Sequence, residues 1–379
     1  MKFAFCLFKY FPYGGLQRGF LELARTCVNR GHELDVYTLS REGRLPENLN
    51  IFDIPSRHLT NHRRYQSFAK QVNRIIAAAD YDAVVGFNKM PGLDIYFASD
   101  VCYAAMADQR NFLYRMSGRC RTLKAMERAV FDKNSKTHII SISEKTKKQY
   151  IDYYGTDENR FHAVPPGISK KRMALAHIPG TRKEWRREFD IQPAENVVLM
   201  VGSDYRRKGV DRAIKAMAAL PRHLKDATRL VIVGKGKKGA YMRLARKLGV
   251  FSQVYFTGQR DDVPRFLAGA DLLLHPAYHE NTGTVLIEAM AAGLPVLATD
   301  ACGYAGHIKS ADAGKIVASP FRQEALNSML AFMLDSQDKR RWRENAKAYL
   351  AATDVSGRHE KSADVIENIA SGQILCSKP

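Results

Sequence analysis

The chain has 379 residues, more than one hydrophobic core usually serves, so its length predicts two domains. An apolar fraction of 45% and a charged fraction of 26% are ordinary for a globular protein and exclude wholesale disorder. No apolar run reaches the roughly 20 residues that a membrane span needs. Lys and Arg outnumber Asp and Glu by 59 to 39, so the surface should collect anions: nucleic acid, anionic lipid headgroups or phosphorylated sugars.

The N-terminal stretch MKFAFCLFKYF has the lysine and the apolar run of a signal peptide. Lys9 interrupts the run and no small-residue cleavage site follows, so a buried first strand is the better prediction. The cysteines have neither pairing nor metal-ligand spacing, which favours reduced thiols in a cytoplasmic protein. They are Cys6, Cys27, Cys102, Cys120, Cys302 and Cys376.

In chain order, short β-rich runs alternate with amphipathic stretches, a pattern typical of parallel α/β architecture. The first strand leads through a loop at Tyr10–Gly15 into a helix whose apolar residues fall on one face. Gly31 is suited to the C-cap of that helix, because glycine tolerates the left-handed conformation. Strands in this half are predicted at 2–8, 34–39, 82–87 and 138–143.

After the Pro165-Pro166-Gly167 turn the alternation begins again, which predicts domains at 1–166 and 167–355. The C-terminal segment 356–379, with an amphipathic helix at 356–370, is expected to pack back on the first domain. Two doubly wound halves should face one cleft with the carboxyl ends of their strands. Strands are predicted at 196–203, 229–234, 253–258, 271–276 and 294–299, and helices at 209–220, 240–248, 262–270 and 283–292.

The segment HPAYHENTGTVLIEAMAAGLPVLAT, residues 275–299, carries the strongest chemical signal. Glu280 follows an apolar strand, and Gly283-Thr284 are expected to open a helix that contains Glu288. The free N–H groups and positive dipole of a helix start suit a diphosphate, with Glu288 near a ribose diol and Glu280 near a sugar. Two glutamates alone would fit an ordinary amphipathic helix, but the complete string favours a binding site.

A second segment, VGSDYRRKGVDRAI, places Arg206, Arg207 and Lys208 between a predicted strand and a helix. Adjacent cations in a cleft loop can neutralise a diphosphate leaving group without a metal. A solvated basic turn is the alternative. The position directly after a strand of the second half favours the binding role.

The loop FKYFPYGGLQR joins the first strand to the first helix. Gly14 and Gly15 present backbone without side chains, so a phosphate could approach closely. The full G-x-G-x-x-G fingerprint is absent, which disfavours a redox dinucleotide. A tight turn without a ligand stays open as the alternative.

A further loop is predicted at GFNKMPGLDIYFASDVCY, residues 86–103. It offers Asn88, Lys89, Asp94 and Asp100 to the same cleft. Asp100 is suited to orient or partly deprotonate an acceptor hydroxyl, although it would equally suit a helix cap.

The segment from Tyr103 to Phe131 interleaves basic residues with aromatic and aliphatic ones. This pattern is typical of an interfacial segment that binds anionic lipid. A helix packed on its domain, with a solvated basic face, is the alternative. The basic residues are Arg110, Arg115, Arg119, Arg121, Lys124 and Arg128.

Together these motifs resemble the retaining glycosyltransferases of the GT-B fold that carry a Glu-x7-Glu signature, here Glu280 to Glu288. The resemblance runs through GGLQR, KMPGLD, PPG and GSDYRRKG, and so covers nearly the whole chain. The strings VVGFNKMPGLD and ADLLLHPAY are similar to those of the bacterial lipopolysaccharide core heptose α-1,3-glucosyltransferases. This resemblance implies two Rossmann-like domains and transfer of glucose or a related hexose from a UDP-sugar to a lipid-linked heptose. It also implies a cytoplasmic enzyme, peripheral on the inner face of the inner membrane.

For the donor, the resemblance implies that Arg207 and Lys208 bind the diphosphate. It further implies that Glu280 meets the sugar and that Glu288 holds the ribose, with the uracil near Gln259-Arg260. The remaining implied donor-binding residues are Gly15 of the first domain, Arg172, Gly283, Thr284 and Val285.

The implied mechanism retains the configuration of the anomeric carbon. No residue is an obvious covalent nucleophile and no Asp-x-Asp motif stands in a predicted cleft loop, so neither a metal nor a cofactor is expected beside the UDP-sugar co-substrate. The acceptor hydroxyl would attack as the diphosphate leaves, with Arg207 and Lys208 stabilising the departing charge. Glu280 and Asp100 complete the expected catalytic set.

The sequence departs from the family pattern at positions that bear on specificity. Gly19 stands where the family commonly has an acidic residue, and Asn281, Thr282 and Thr284 replace smaller, apolar ones. The donor sugar therefore stays open among glucose, galactose and N-acetylated sugars.

Two other functions stay open at this point. A nucleotide-sugar 2-epimerase on the same fold would share the diphosphate-binding site but would need no acceptor. A nucleic-acid-binding protein is suggested by charge alone, and the chain carries neither an RNA-recognition signature nor a zinc finger. Nucleic acid is therefore not expected as a partner.

Overall fold

The computed structural model describes residues 1–11, 15–43 and 49–373 and divides the chain into two compact units. Unit 1 comprises residues 1–167 and the segment that begins at Gly357, and unit 2 runs from Ile168 to Ser356. The chain therefore passes from unit 1 to unit 2 directly after Gly167, at the end of the Pro165-Pro166-Gly167 turn. None of the helices in these described ranges is both long enough and apolar enough to span a bilayer.

Unit 1 is built on a parallel sheet. Its strands are β1 (Lys2–Tyr10), β2 (Glu33–Arg41), β3 (Asn50–Asp53), β4 (Ala83–Gly86), β5 (Ile95–Ala98), β6 (His138–Ser141) and β7 (Phe161–Ala163). Their order across the sheet is β3-β2-β1-β4-β5-β6-β7, and all the paired strands run in the same direction. The reversal of order at β1 is the doubly wound pattern, which leaves crossover helices on both faces.

The helices of unit 1 cover both faces of this sheet. They are α1 (Gly15–Asn29), α2 (Asn61–Ala77), α3 (Tyr103–Asp108), α4 (Phe112–Met116), α5 (Gly118–Phe131) and α6 (Glu144–Tyr154), with a short 3-10 turn at Glu158–Arg160. Several start at a side-chain cap; Ser143, for example, accepts the Thr146 N–H at the start of α6.

β1 illustrates how alternate side chains divide between the two faces. Phe3 and Phe5 pack in one core with Phe20 of α1, whereas Ala4 and Cys6 pack in the other with Phe68 of α2. All four of these strand residues are fully buried. A strand buried on both faces appears in the sequence as a continuous apolar run, as the KFAFCLF string does.

Unit 2 repeats the architecture with a second parallel sheet. Its strands are β8 (Asn196–Val201), β9 (Thr228–Val233), β10 (Val254–Gly258), β11 (Leu272–His275), β12 (Val296–Thr299) and β13 (Gly314–Val317). Their order is β10-β9-β8-β11-β12-β13, again with parallel pairing. The order reverses at β8, so β8 and β11 are neighbours. The predicted α/β class with two doubly wound halves is confirmed.

The helices of unit 2 again lie on both faces of its sheet. They are α7 (Lys170–Leu175), α8 (Thr181–Glu188), α9 (Val210–Ala218), α10 (Arg222–Asp226), α11 (Gly239–Lys247), α12 (Val263–Gly269), α13 (Thr284–Ala291), α14 (Ala305–Ala311), α15 (Gln323–Asp335) and α16 (Lys339–Ala352), with a 3-10 turn at Phe251–Gln253. The two cores of the unit are separated by the sheet. Val197 and Leu199 face one core, and Val198 and Met200 face the other.

The last helix, α17 (Arg358–Ala370), belongs to unit 1 and packs against α1. Ala363, Val365 and Ile366 enter the same core as Phe3 and Phe5. On the surface, Arg30 at the end of α1 forms ion pairs with three carboxylates of α17. They are Glu360 at 2.6 Å, Asp364 at 2.8 Å and Glu367 at 3.0 Å.

The structure corrects the sequence-based elements in two respects. Strands β3, β5, β7 and β13 were not predicted, because each is only three or four residues long and polar residues or glycine flank it. The predicted loop 86–103 is wrong over part of its length, since Ile95–Ala98 is a buried strand.

Candidate active site

Unit 2 carries one loop after β8 and another after β11, and these two strands are neighbours. The carboxyl ends of adjacent parallel strands lie at the same edge of a sheet, so the two loops lie side by side. The Tyr278 N–H donates to the Arg207 carbonyl oxygen at 2.9 Å and ties the loops together. Two distant sequence segments thereby form one surface.

Close packing of these loops depends on two glycines. Gly209 has a φ of +74°, and a Cβ there would lie 2.1 Å from the carbonyl oxygen of Pro276. Gly202 has a φ of +147°, and a Cβ there would lie 2.7 Å from Cε of Lys208. A side chain at Gly209 would therefore displace the backbone of the loops, and a side chain at Gly202 would displace the Lys208 side chain.

Three charged side chains meet where the loops touch. Arg207 Nη1 and Lys208 Nζ both donate to Oε2 of Glu280. Lys208 is only 9% exposed and the Glu280 side chain 13%, so water screens these ion pairs weakly. Arg207 Nε also lies 3.5 Å from Oδ2 of Asp204, but the Asp204 side chain is 59% exposed, so water screens this pair more strongly than the pairs with Glu280. The cluster therefore holds two adjacent cations that an incoming anion can approach from the solvent side.

The Glu280 carboxylate is held in its charged form. Burial alone would raise its pKa, but hydrogen bonding to His275 and the charges of Lys208 and Arg207 outweigh burial. The pKa of Glu280 therefore lies well below its usual range. At neutral pH Glu280 can accept hydrogen bonds but cannot serve as a general acid.

His275, the last residue of β11, lies against this cluster and is fully buried. Its Nε2 is 3.4 Å from Lys208 Nζ. Burial and then the positive charge of Lys208 lower the pKa of His275 to about 4, so the ring is neutral at pH 7. The same nitrogen is 3.9 Å from Glu280 Oε2, whereas Nδ1 is buried without a hydrogen-bond partner among the described residues, so Nε2 is the nitrogen that faces the charged cluster. Sequence reasoning missed His275, although it directly precedes Pro276 in the ADLLLHPAY string.

Backbone hydrogen bonds fix the Glu280 loop to the loop that follows β12. The Glu280 N–H donates to the Ala301 carbonyl at 3.2 Å, and the Gly303 N–H donates to the Glu280 carbonyl at 3.1 Å. The Tyr304 N–H donates to the Thr282 carbonyl at 2.8 Å. Glu280 is therefore positioned by main-chain contacts as well as by its ion pairs.

Helix α13 begins immediately after this loop. Gly283, with a φ of +84°, is its N-cap, and Thr284 and Val285 are its first residues. The first N–H groups of a helix have no intrahelical acceptor, and they lie at the positive end of the helix dipole, where an anion is stabilised. Glu288 is partly exposed and lies four residues beyond Thr284, one turn along the same face.

Two predicted site residues belong to unit 1. Gly15 is the first residue of α1, whereas Gly14 lies outside the described residues. Asp100 follows β5 and is hydrogen-bonded to Asn88, whose Oδ1 also accepts the Phe8 N–H at 2.7 Å. Burial raises the pKa of Asp100. The positive charge of Lys89 opposes this rise, and the negative charge of Glu127 adds to it.

A second buried ion pair lies behind Asp100. Lys89 Nζ is 2.5 Å from Glu127 Oε2 and donates to the Val101 carbonyl at 2.7 Å. Glu127 is fully buried and accepts the N–H groups of Tyr103 at 2.7 Å and Ala104 at 2.8 Å. From sequence, Glu127 counts among the charges of the basic segment, and only its three-dimensional position reveals its partners.

The predicted residues fall into three groups. Arg207, Lys208 and Glu280 are in direct contact. The residues that follow them at the start of α13 or on its first turns are Gly283, Thr284, Val285 and Glu288. Arg172 lies within α7, but its side chain is outside the described set, and Gly15 and Asp100 belong to the other unit.

Comparison with known proteins gives two family models that together span most of the chain. The model "Glycosyl transferases group 1" matches residues 181–349, and the model "Glycosyltransferase Family 4" matches residues 13–172. The lipopolysaccharide glucosyltransferase WaaG of Escherichia coli K12 is 45% identical over 368 residues, which cover 97% of this chain and 98% of WaaG. The chain belongs to this family of glycosyltransferases.

The structural comparison agrees with this membership. A crystal structure of WaaG, described as a glycosyltransferase involved in lipopolysaccharide biosynthesis, matches with a TM-score of 0.90 over 96% of this chain and 99% of that one. A structure of Anabaena Alr3699/HepE in complex with UDP-glucose matches with a TM-score of 0.74 at 18% identity, over 97% and 100% of the two chains. The more distant likeness supports the fold alone. The glycosyltransferase is therefore a GT-B enzyme that transfers a hexose.

Proposed function

We propose that this glycosyltransferase moves glucose, or a closely related hexose, from a UDP-sugar to an inner-core heptose of lipopolysaccharide. The observation that carries the proposal is the clamp of Arg207 and Lys208 on Glu280, next to the first turn of α13. The near full-length similarity to the lipopolysaccharide glucosyltransferase WaaG supports the choice of acceptor class. The Glu-x7-Glu pair, Glu280 and Glu288, belongs to this proposal.

The proposed donor site uses the two adjacent cations, Arg207 and Lys208, that contact Glu280. The diphosphate binds Arg207 and Lys208, while backbone amides at Gly283 and Thr284 face its oxygens. Glu280 orders the two like charges before the donor arrives, which lowers the cost of reorganisation at the moment of reaction. Its other oxygen, Oε1, accepts from a sugar hydroxyl.

The proposed reaction is a front-face displacement with retention of configuration. The bond between the anomeric carbon and the β-phosphate oxygen breaks, and a bond to the acceptor hydroxyl oxygen forms on the same face. The hydroxyl proton passes to an oxygen of the departing diphosphate. Arg207 and Lys208 stabilise the charge that develops on UDP, so the proposed scheme needs no metal ion and no cofactor.

The decisive experiment incubates the purified enzyme with a UDP-sugar and a deacylated core oligosaccharide that ends in heptose. UDP-glucose, UDP-galactose and UDP-N-acetylglucosamine are compared, and NMR determines the linkage and anomeric configuration of the product. We expect an α-linked hexose. Absence of transfer from all three donors would overturn the proposal, as would conversion of the donor sugar to its 2-epimer when no acceptor is present.

We also propose that residues 103–131 bring the enzyme to an anionic membrane surface, on the inner face of the inner membrane. Phe112, Leu113 and Met116 of α4 are exposed, and Arg110 and Arg115 beside them are exposed as well. Exposed aromatic and aliphatic residues among arginines suit the boundary between headgroups and acyl chains.

The membrane proposal is tested by sedimentation with vesicles at low salt. We expect retention on vesicles that contain phosphatidylglycerol, and a weaker retention when Leu113 is replaced by serine. Failure of the unaltered protein to bind such vesicles would refute attachment without bearing on sugar transfer to a water-soluble acceptor.

A further inference from the structure

Helix α2 of unit 1 carries an unusual excess of positive charge. Between Asn61 and Ala77 the sequence contains four basic residues and no acidic one. Arg63, Lys70 and Arg74 are exposed, and their spacings of seven and four residues place them on one face of the helix. A polar helix face is common, but a face with only one sign of charge repels itself unless an anion binds.

This face lines a groove, which we call the α2 groove, with a volume of about 510 Å³. Its wall contains cationic, amide and hydroxyl groups that donate hydrogen bonds, and His58 closes one side. Gln71 is ordered within it, since its Nε2 donates to Ser67 Oγ at 3.0 Å. The residues from α2 are Arg63, Gln66, Ser67, Lys70, Gln71 and Arg74.

The cations of the groove lack the carboxylate partners found on the opposite side of unit 1. Arg30 is neutralised by three acidic residues of α17. In contrast, no residue in the described part of the chain forms an ion pair with Arg63, Lys70 or Arg74. Phosphate is the complementary ligand, because arginine can bind two of its oxygens at once and lysine adds a point charge.

Apolar residues at the rim indicate which phosphate is involved. Leu59, just before α2, is 100% exposed, and Leu113 of the neighbouring α4 is 79% exposed. Helix α2 packs against α5, and the α5 start is close to α2, since a Cβ at Gly118 would lie 4.0 Å from His62 Nε2. The cationic groove and the exposed apolar residues thus share one side of unit 1. That combination matches a lipid headgroup whose acyl chains lie beyond the rim.

We propose that the α2 groove binds the phosphate headgroup of an anionic phospholipid and so forms a second membrane contact beside residues 103–131. The inference rests on the membrane attachment proposed above and is independent of the sugar that the enzyme transfers. It assigns to α2 a role that the sequence motifs did not indicate.

The test compares two triple variants that remove the same number of charges. The groove variant combines Arg63→Gln, Lys70→Gln and Arg74→Gln and removes the cations of the groove. The control variant combines Lys183→Gln, Arg187→Gln and Lys247→Gln and removes three exposed cations from unit 2. Binding is measured by sedimentation with two kinds of vesicle. One is phosphatidylcholine alone, and in the other about one lipid in three is phosphatidylglycerol. We expect the groove variant to lose at least tenfold in the partition coefficient on the anionic vesicles and the control less than twofold.

Two further measurements keep the outcomes distinct. Transfer to the deacylated acceptor should stay within twofold in the groove variant, because none of the proposed catalytic residues lines the groove. Phosphatidylcholine vesicles loaded with a phosphorylated lipid acceptor test the other phosphate source, and a loss confined to these vesicles would overturn the phospholipid assignment. Equal binding by the two triple variants would show bulk charge alone and would overturn the groove.

Discussion

Two buried glutamates, Glu127 in unit 1 and Glu280 in unit 2, each pair with a lysine that follows a β-strand. Around Glu127 both oxygens are occupied: Oε2 by Lys89 and the Tyr103 N–H, and Oε1 by the Ala104 N–H and the Tyr154 hydroxyl. Most of these donors belong to the backbone or are neutral.

Glu280 has a different environment. Its two charged partners, Arg207 and Lys208, both bind Oε2, and Arg207 also contacts the exposed carboxylate of Asp204. A carboxylate saturated with hydrogen bonds fixes structure, whereas a carboxylate that orders two adjacent cations can prepare a place for an incoming anion. We therefore interpret the Glu127 pair as structural and keep the binding role of the Glu280 cluster as a proposal.

The largest expected effect is on stability at the structural pair. Glu127→Ala leaves Lys89 buried without a counter-charge, so we expect the free energy of unfolding of unit 1 to fall by about 3–5 kcal/mol. The free energy of unfolding is measured by denaturant titration followed by far-UV circular dichroism. The double variant Lys89→Met, Glu127→Leu should lose less than the single variant, and a loss below about 1 kcal/mol in Glu127→Ala would contradict the structural role.

The next effect is on catalysis at the functional pair. Lys208→Ala removes the proposed charge-assisted contact to the leaving group, and we expect turnover to fall at least a hundredfold, which corresponds to about 2.7 kcal/mol or more of transition-state stabilisation. The circular dichroism spectrum should be unchanged. Lys215→Ala, on the exposed side of α9, is the matched control and should retain activity. Near-normal turnover in purified Lys208→Ala would end the assignment.

A pH titration probes the neutral histidine beside Lys208. The pKa of His275 is lowered to about 4 in the folded chain from an ordinary 6.5. Below pH 6.5 the unfolded chain binds a proton that the folded chain excludes, so this residue makes stability fall as the pH drops towards 4. We expect His275→Asn to flatten that fall by about 2–3 kcal/mol relative to wild type, by denaturant titration at several pH values. Equal slopes in wild type and His275→Asn would contradict a buried neutral ring.

The smallest effect tests how completely Glu127 is satisfied. Tyr154→Phe removes one of several donors to the carboxylate, so we expect a loss of about 1.5 kcal/mol in the free energy of unfolding and normal turnover. Tyr255→Phe, on the exposed face of β10, is the control for removal of a hydroxyl. A large loss of turnover in Tyr154→Phe would mean that the Glu127 network acts in catalysis and would remove the distinction between the two glutamates.

The sequence predicted the longer elements of unit 2 well, and it chose candidate residues of which Arg207, Lys208 and Glu280 are in contact in the structure. Strand, charged loop and glycine-capped helix are local patterns, so Arg207, Lys208, Glu280 and Gly283 could be identified before the fold was known. Their mutual contact also followed from topology, since loops after neighbouring parallel strands share an edge.

Other features could not be predicted because they depend on long-range contacts. Glu127 lies in a basic amphipathic helix, and nothing local distinguishes it from a solvated residue; its donors are 23 to 38 residues away. His275 ends an apolar strand, and it meets Lys208 only in the folded protein, where the Lys208 side chain lies against Gly202. The short strand β13 depends on Gly314, where a Cβ would lie 2.0 Å from the Val296 carbonyl oxygen.

The return of α17 to unit 1 has a consequence for biosynthesis. Ile168 and Val355, at the two ends of unit 2, are joined by a backbone hydrogen bond of 2.8 Å, so unit 2 is inserted between parts of unit 1. The sheet of unit 1 is translated before unit 2, whereas Ala363, Val365 and Ile366, which cover part of that sheet, are translated after it. Unit 2 can therefore complete its own core while the nascent unit 1 still lacks its final layer.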